Sequence, residues 1–178
     1  CVNERFDIVN TSVGGVSYEW DFCSGDLGST PVVDSNIIPN SSFNKPSHIT
    51  MVNESGNWYG FVTNRFGLNI TRLDFGSDPG SIPGVVNLGT FSNSFPQPID
   101  IEFFKQNNIW YGLLIDAASN RLWRLTFGAL DNTTPTLESL DAFNGENFLD
   151  APIDIEILEE TNNIVALITN YYGGKITS

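Results

Sequence analysis

Trp58-Tyr59-Gly60-Phe61-Val62-Thr63-Asn64 returns 52 residues later as Trp110-Tyr111-Gly112-Leu113-Leu114-Ile115-Asp116, and 54 residues beyond that as Ile164-Val165-Ala166-Leu167-Ile168-Thr169-Asn170. A near-fixed period of this size marks a propeller or another repeat array, where each copy is one supersecondary unit. Other landmarks keep the same step. Lys45-Pro46-Ser47-His48-Ile49-Thr50 aligns with Gln97-Pro98-Ile99-Asp100-Ile101-Glu102 and with Ala151-Pro152-Ile153-Asp154-Ile155-Glu156. Thr71-Arg72-Leu73-Asp74-Phe75-Gly76 aligns with Trp123-Arg124-Leu125-Thr126-Phe127-Gly128 and, backwards, with Tyr18-Glu19-Trp20-Asp21-Phe22-Cys23. Pro31, Pro83 and Pro135 follow at 52-residue steps.

Each copy reads as four short strands. Residues 99–104 alternate apolar and polar from Ile99 through Phe103, as a half-buried strand does. Residues 109–115 form a nearly continuous apolar run, and residues 121–127 alternate again. A weaker strand at 136–141 follows the Pro135 breaker. Asn-Asn, Ser-Asn, Gly-Gly and Asp-Asn fill the intervals with turn chemistry. Short strands at this spacing mean an all-β fold. The expected architecture is a partial β-propeller of about three four-stranded, blade-like repeats of ~52 residues. A lead over residues 1–27 merges into repeats over 18–178, cut at about 18–70, 71–122 and 123–178. Ser178 is the counterpart of Arg72 and Arg124, so the end falls inside a strand and leaves an edge of the kind native sheets avoid. The expectation is a segment of a longer polypeptide; the alternative is a ring closed by further copies.

Pro-x-x-Ile, an aromatic strand ending in Thr-Asn or Asp, and Leu-x-Arg-Leu-x-Phe together resemble the NHL-type propeller repeat. WYGFVTN…ITRLDFG with Asn87-Leu88-Gly89 is also similar to repeats in large surface proteins of gliding and marine Bacteroidota. There such repeats follow a PKD-like lead, which Asn10-Thr11-Ser12 and Tyr18-Glu19-Trp20-Asp21-Phe22 resemble, although Cys23 and Ser24-Gly25-Asp26 depart from the PKD pattern. The resemblance implies a cell-surface protein exported by type IX secretion.

Acids outnumber bases 21 to 8, for a net charge of −13, while charged residues make up only 16% of the chain. That balance argues against nucleic acid or an anionic membrane as partner. No apolar run reaches the length of a membrane span. Cys1 and Cys23 suit one disulfide, which would contribute about 3 kcal/mol by restricting the unfolded chain and would place the protein in an oxidising compartment. A lipidated Cys1 is the weaker alternative. Sequons at Asn10, Asn40, Asn53, Asn69 and Asn132 would be glycan acceptors in a eukaryotic secreted chain and carry no meaning in a bacterial one.

No catalytic constellation stands out. His48 is the single histidine. Without a Gly-x-Ser-x-Gly elbow it reads as a strand-end surface residue rather than a base. Asp100, Glu102, Asp154 and Glu156 occupy equivalent places in two copies and are candidates for a ring that holds Ca²⁺ or a cationic ligand; the plainer reading is that copied positions look alike. Trp58, Tyr59, Trp110, Tyr111 and Trp123 read as packing between blades. Tyr171 and Tyr172, before Gly173-Gly174, are the exposed aromatics most suited to ligand contact. The expected function is a non-catalytic extracellular binding or structural module of a cell-surface adhesin or appendage. Its partners would be other surface proteins, polysaccharide or further copies through open strand edges, with no cofactor beyond Ca²⁺. A glycan-active propeller hydrolase or lyase and a self-assembling filament subunit are the alternatives.

Overall fold

The computed structural model describes residues 38, 40–89, 97–140, 148–160 and 163–178. Cys1, Cys23 and the PKD-like lead lie outside them. The described residues carry eleven strands and one 3-10 turn, Asn40–Ser42. The first antiparallel sheet runs in chain order through β1 (Pro46–Glu54), β2 (Asn57–Asn64), β3 (Asn69–Gly76) and β4 (Gly84–Asn87). The second repeats this with β5 (Pro98–Gln106), β6 (Ile109–Asp116), β7 (Arg121–Gly128) and β8 (Thr136–Ser139). The third holds β9 (Pro152–Glu159), β10 (Ile164–Asn170) and β11 (Ile176–Thr177), so it has three strands where four are expected. The fold is all-β, and among the described residues the sheets do not close into a ring. The expected cuts at 70/71 and 122/123 fall within β3 and β7, whereas each hydrogen-bonded sheet begins at its Pro-x-x-Ile strand.

The hairpins follow from their turns. Asn107 and Asn108 both take positive φ (50° and 63°), as do Ser55 and Gly56 (53° and 86°). Two such central residues match the twist of the flanking strands. The Phe-Gly that ends the third strand of the first two sheets also has a backbone cause. Gly76 and Gly128 sit at φ 66° and 75°, where the ladder shifts register opposite Trp58 and Trp110. A bulge with its glycine in the left-handed region makes that shift without a Cβ clash.

The Asn or Asp that ends the second strand is a latch. Asn64 Oδ1 accepts the Asn44 N–H at 3.1 Å, Asp116 Oδ2 the Gln97 N–H at 2.6 Å, and Asn170 Oδ1 the Asp150 N–H at 2.8 Å. All three side chains are buried. Each therefore ties the chain entering its sheet to the far end of the neighbouring strand, and satisfies an N–H that would otherwise be stranded. Asn64 also donates to Thr71 Oγ1 at 2.9 Å. Asn64→Ala is expected to cost about 1–2 kcal/mol, seen in urea as a lower midpoint at unchanged slope. An unchanged midpoint would mean that the latch contributes nothing.

Two apolar cores lie between successive sheets. The first joins Val52, Phe61 and Ile70 to Ile101, Leu114 and Leu125. Within it Phe61 lies 4.2 Å from Phe103 and 5.4 Å from Phe127, centroid to centroid. The second joins Leu113 and Ile115 to Ile155 and Ile168. Trp123 belongs to the first core, Tyr59 and Trp110 pack against it, and Tyr111 packs against the second. Those four aromatics thus do the packing expected of them; Trp58 is half-buried.

Candidate functional site

Stacking brings the first strands β1, β5 and β9 alongside one another. Residues one repeat apart therefore meet. Ser47 Oγ donates to Ile99 O at 2.7 Å, and Thr50 Oγ1 to Ile101 O at 2.6 Å. On β1, His48, Thr50 and Val52 share a face because strand side chains alternate. Their counterparts on β5 are Asp100, Glu102 and Phe104.

His48, Asp100 and Glu102 converge at this junction. His48 Nε2 lies 3.0 Å from Asp100 Oδ1 and 3.5 Å from Glu102 Oε1. One ligand atom from each of the three residues falls within 4.8 Å of the others. Thr50 Oγ1 sits among them, 3.0 Å from both His48 Nε2 and Glu102 Oε1. His48 is thus not the strand-end surface residue the sequence suggested. Its side chain is 31% exposed, and its ring is drawn inward by carboxylates one repeat away.

Asp100 is 1% exposed. Its Oδ2 accepts the Ile155 N–H of the third sheet at 3.0 Å. Its Oδ1 has no hydrogen-bond partner; His48 Nε2 is close enough for an ion pair but is not aligned to donate. Burial pushes the Asp100 carboxyl up to about 6, against the lowering effect of the Ile155 N–H and of His48. Desolvation without full compensation is the physical cause.

Protons are scarce here. Asp100 Oδ1, Glu102 Oε1, Ile101 O and Thr50 Oγ1 all offer lone pairs. The side chains supply only the Thr50 hydroxyl and, in one tautomer, the His48 Nε2–H. A site with more acceptors than donors is suited to a cation.

Asp154 and Glu156, expected to join Asp100 and Glu102, are exposed on β9 and lie outside the cluster. Tyr171 and Tyr172 are 67% and 60% exposed in the β10–β11 turn, edge to face at 4.9 Å. Their N–H groups donate to Ala151 O and Asp150 O, which fixes the turn. The sequence did carry a signal for His48: it is the one imidazole in a repeat column whose other members, Asp100 and Asp154, are acids.

A comparison with known families finds no matching family model, and no curated protein matches the chain.

Proposed function

We propose that the chain is a non-catalytic binding and structural module of the extracellular face, its sheets serving as successive propeller blades of a cell-surface adhesin or appendage. One observation carries this reading: the same sheet-on-sheet contact occurs twice, with side chain-to-backbone bonds between β1 and β5 and a side chain-to-backbone bond between β5 and β9. Such stacking is how repeat arrays build a rigid platform. The acidic composition and the paired exposed tyrosines suit a soluble platform that meets neutral polysaccharide or protein. A Cys1–Cys23 bridge and export to the cell surface belong to the same proposal.

A panel of polysaccharides, assayed for both binding and turnover, tests it. The expected result is saturable binding without product, weakened about tenfold or more when Tyr171 and Tyr172 are both changed to alanine, since truncating an aromatic anchor at the centre of a binding surface costs upwards of about 1 kcal/mol. Turnover that disappears in Asp154→Asn would replace this reading with a glycan-active enzyme.

A further inference from the structure

We infer that His48, Asp100 and Glu102 form a binding site for one divalent transition cation of the Zn²⁺ class, clipping the first sheet to the second. The inference stands on the cluster itself and does not depend on the adhesin reading.

Geometry comes first. Ligands at zinc distances of about 2.0–2.1 Å in a tetrahedral arrangement sit about 3.3 Å apart. The His48 Nε2 separations of 3.0 Å to Asp100 Oδ1 and 3.5 Å to Glu102 Oε1 bracket that figure. Asp100 and Glu102 are two apart on β5, so the pleat aims both the same way, and His48 comes from β1 of the neighbouring sheet. Three protein ligands leave a fourth position open. Glu102 at 24% and His48 at 31% exposure give solvent a route to it.

The second argument is the unpartnered oxygen. Asp100 Oδ1 is buried and hydrogen-bonds to nothing, although buried polar atoms are rarely left so. Its position beside an imidazole nitrogen and a second carboxylate is that of a ligand atom. A histidine bond to Thr50 Oγ1 does not satisfy this oxygen, whereas a cation would.

Ligand type selects the metal. Ca²⁺ takes oxygen ligands, whereas imidazole with carboxylates suits Zn²⁺ and its neighbours. The second junction lacks the histidine, because Asp100 on β5 stands there in the place that His48 on β1 holds at the first. One ion per chain is therefore expected, and not the Ca²⁺ ring read from the repeated acids.

The test is calorimetric titration of the full chain with Zn²⁺ after Cys1 and Cys23 have been reduced and alkylated, which removes thiolates as rival ligands. One equivalent should bind. His48→Ala and Glu102→Gln should each weaken binding about 100-fold or more, since changing even an outer-shell partner of a ligand costs about 10–100-fold, while circular dichroism confirms that both variants fold. Co²⁺ should give visible bands of an oxygen–nitrogen site in the native chain and not in His48→Ala. Millimolar Ca²⁺ should not displace it. Absence of binding would overturn the site and leave an ion-paired histidine. Binding that survives His48→Ala would likewise overturn it, by placing the metal elsewhere.

Discussion

Arg72→Ala is expected to destabilise the fold by about 2–4 kcal/mol, chiefly because two carbonyls of the next sheet lose their donor at about 1–2 kcal/mol each, whereas Arg124→Ala at the equivalent position should cost about 0–1 kcal/mol. In the first sheet Arg72 is buried, with a side chain 4% exposed. Its Nε and Nη2 grip Asp74 at 2.5 and 2.9 Å, and its Nη1 donates to Leu130 O and Asn132 O at 3.0 and 3.1 Å. Those carbonyls follow β7 of the second sheet, so one guanidinium joins two sheets. Glu54 closes the same clasp. It accepts Lys105 Nζ and Trp110 Nε1 at 2.8 and 2.7 Å, and the Leu130 N–H at 3.3 Å.

The two arginines differ because their neighbours do. Arg72 pairs across the strand with Val86 and finds its carboxylate in Asp74. Arg124 pairs with Glu138, while Thr126 stands in the place of Asp74. Arg124 therefore bonds to Glu138 along its own sheet, with 39% of its side chain exposed. Alanine at 72 would strand two carbonyls and leave Asp74 without its counter-charge. Arg72→Met, which keeps the packed stem, should recover part of the loss. A thermal midpoint falling on the order of 10 °C in Arg72→Ala is the expected signature. A fall equal to that of Arg124→Ala would show that the clasp contributes no more than a surface pair.

The period and the strands were legible because they rest on local chemistry. Residues 99–104, 109–115 and 121–127 lie within β5, β6 and β7, and the weaker strand expected at 136–141 contains β8, Thr136–Ser139. Alternation, Asn-Asn turns and proline breakers act over a few residues, and the sequence displays all of them. The tyrosine pair was legible for the same reason, through Gly173-Gly174. The cluster at His48 was not. It depends on which repeat positions face one another once sheets stack, a relation between residues 52 apart. Asp100 and Glu102 drew notice as acids in a repeated column, and Asp154 and Glu156 were grouped with them by likeness. Stacking instead brings each column member against the next copy's strand, so Asp100 meets His48 on one side and the Ile155 N–H on the other. Closure into a ring was not legible either, since it depends on how each sheet is rotated against the next, which strand patterning does not encode.

Asp100→Asn should move stability in opposite directions with and without metal. Asparagine is nearly isosteric, and its carbonyl oxygen can keep the Ile155 N–H bond. Its amide then puts two donors where the unpartnered Oδ1 stood, facing Glu102, Thr50 and the His48 ring. A buried charge whose ionisation the surroundings oppose is removed, and an acceptor-rich cluster gains protons. In metal-free protein at pH 7.5 the variant should therefore be more stable than the native chain by about 1–3 kcal/mol, the penalty for leaving such a group unsatisfied. That gain corresponds to a thermal midpoint several degrees higher. With Zn²⁺ in excess the order should reverse. An ion that binds only the folded state stabilises it by about 4.1 kcal/mol at one thousand times its dissociation constant, more than the whole of that gain, and an amide oxygen or nitrogen is a poor substitute for a carboxylate on a transition cation. The native midpoint should climb with added Zn²⁺ while that of Asp100→Asn stays flat. Paired melts with and without a chelator read both effects at once. A variant less stable than the native chain under chelator would mean that the carboxylate is already compensated by His48 alone, which would remove the physical argument for a cation at this junction.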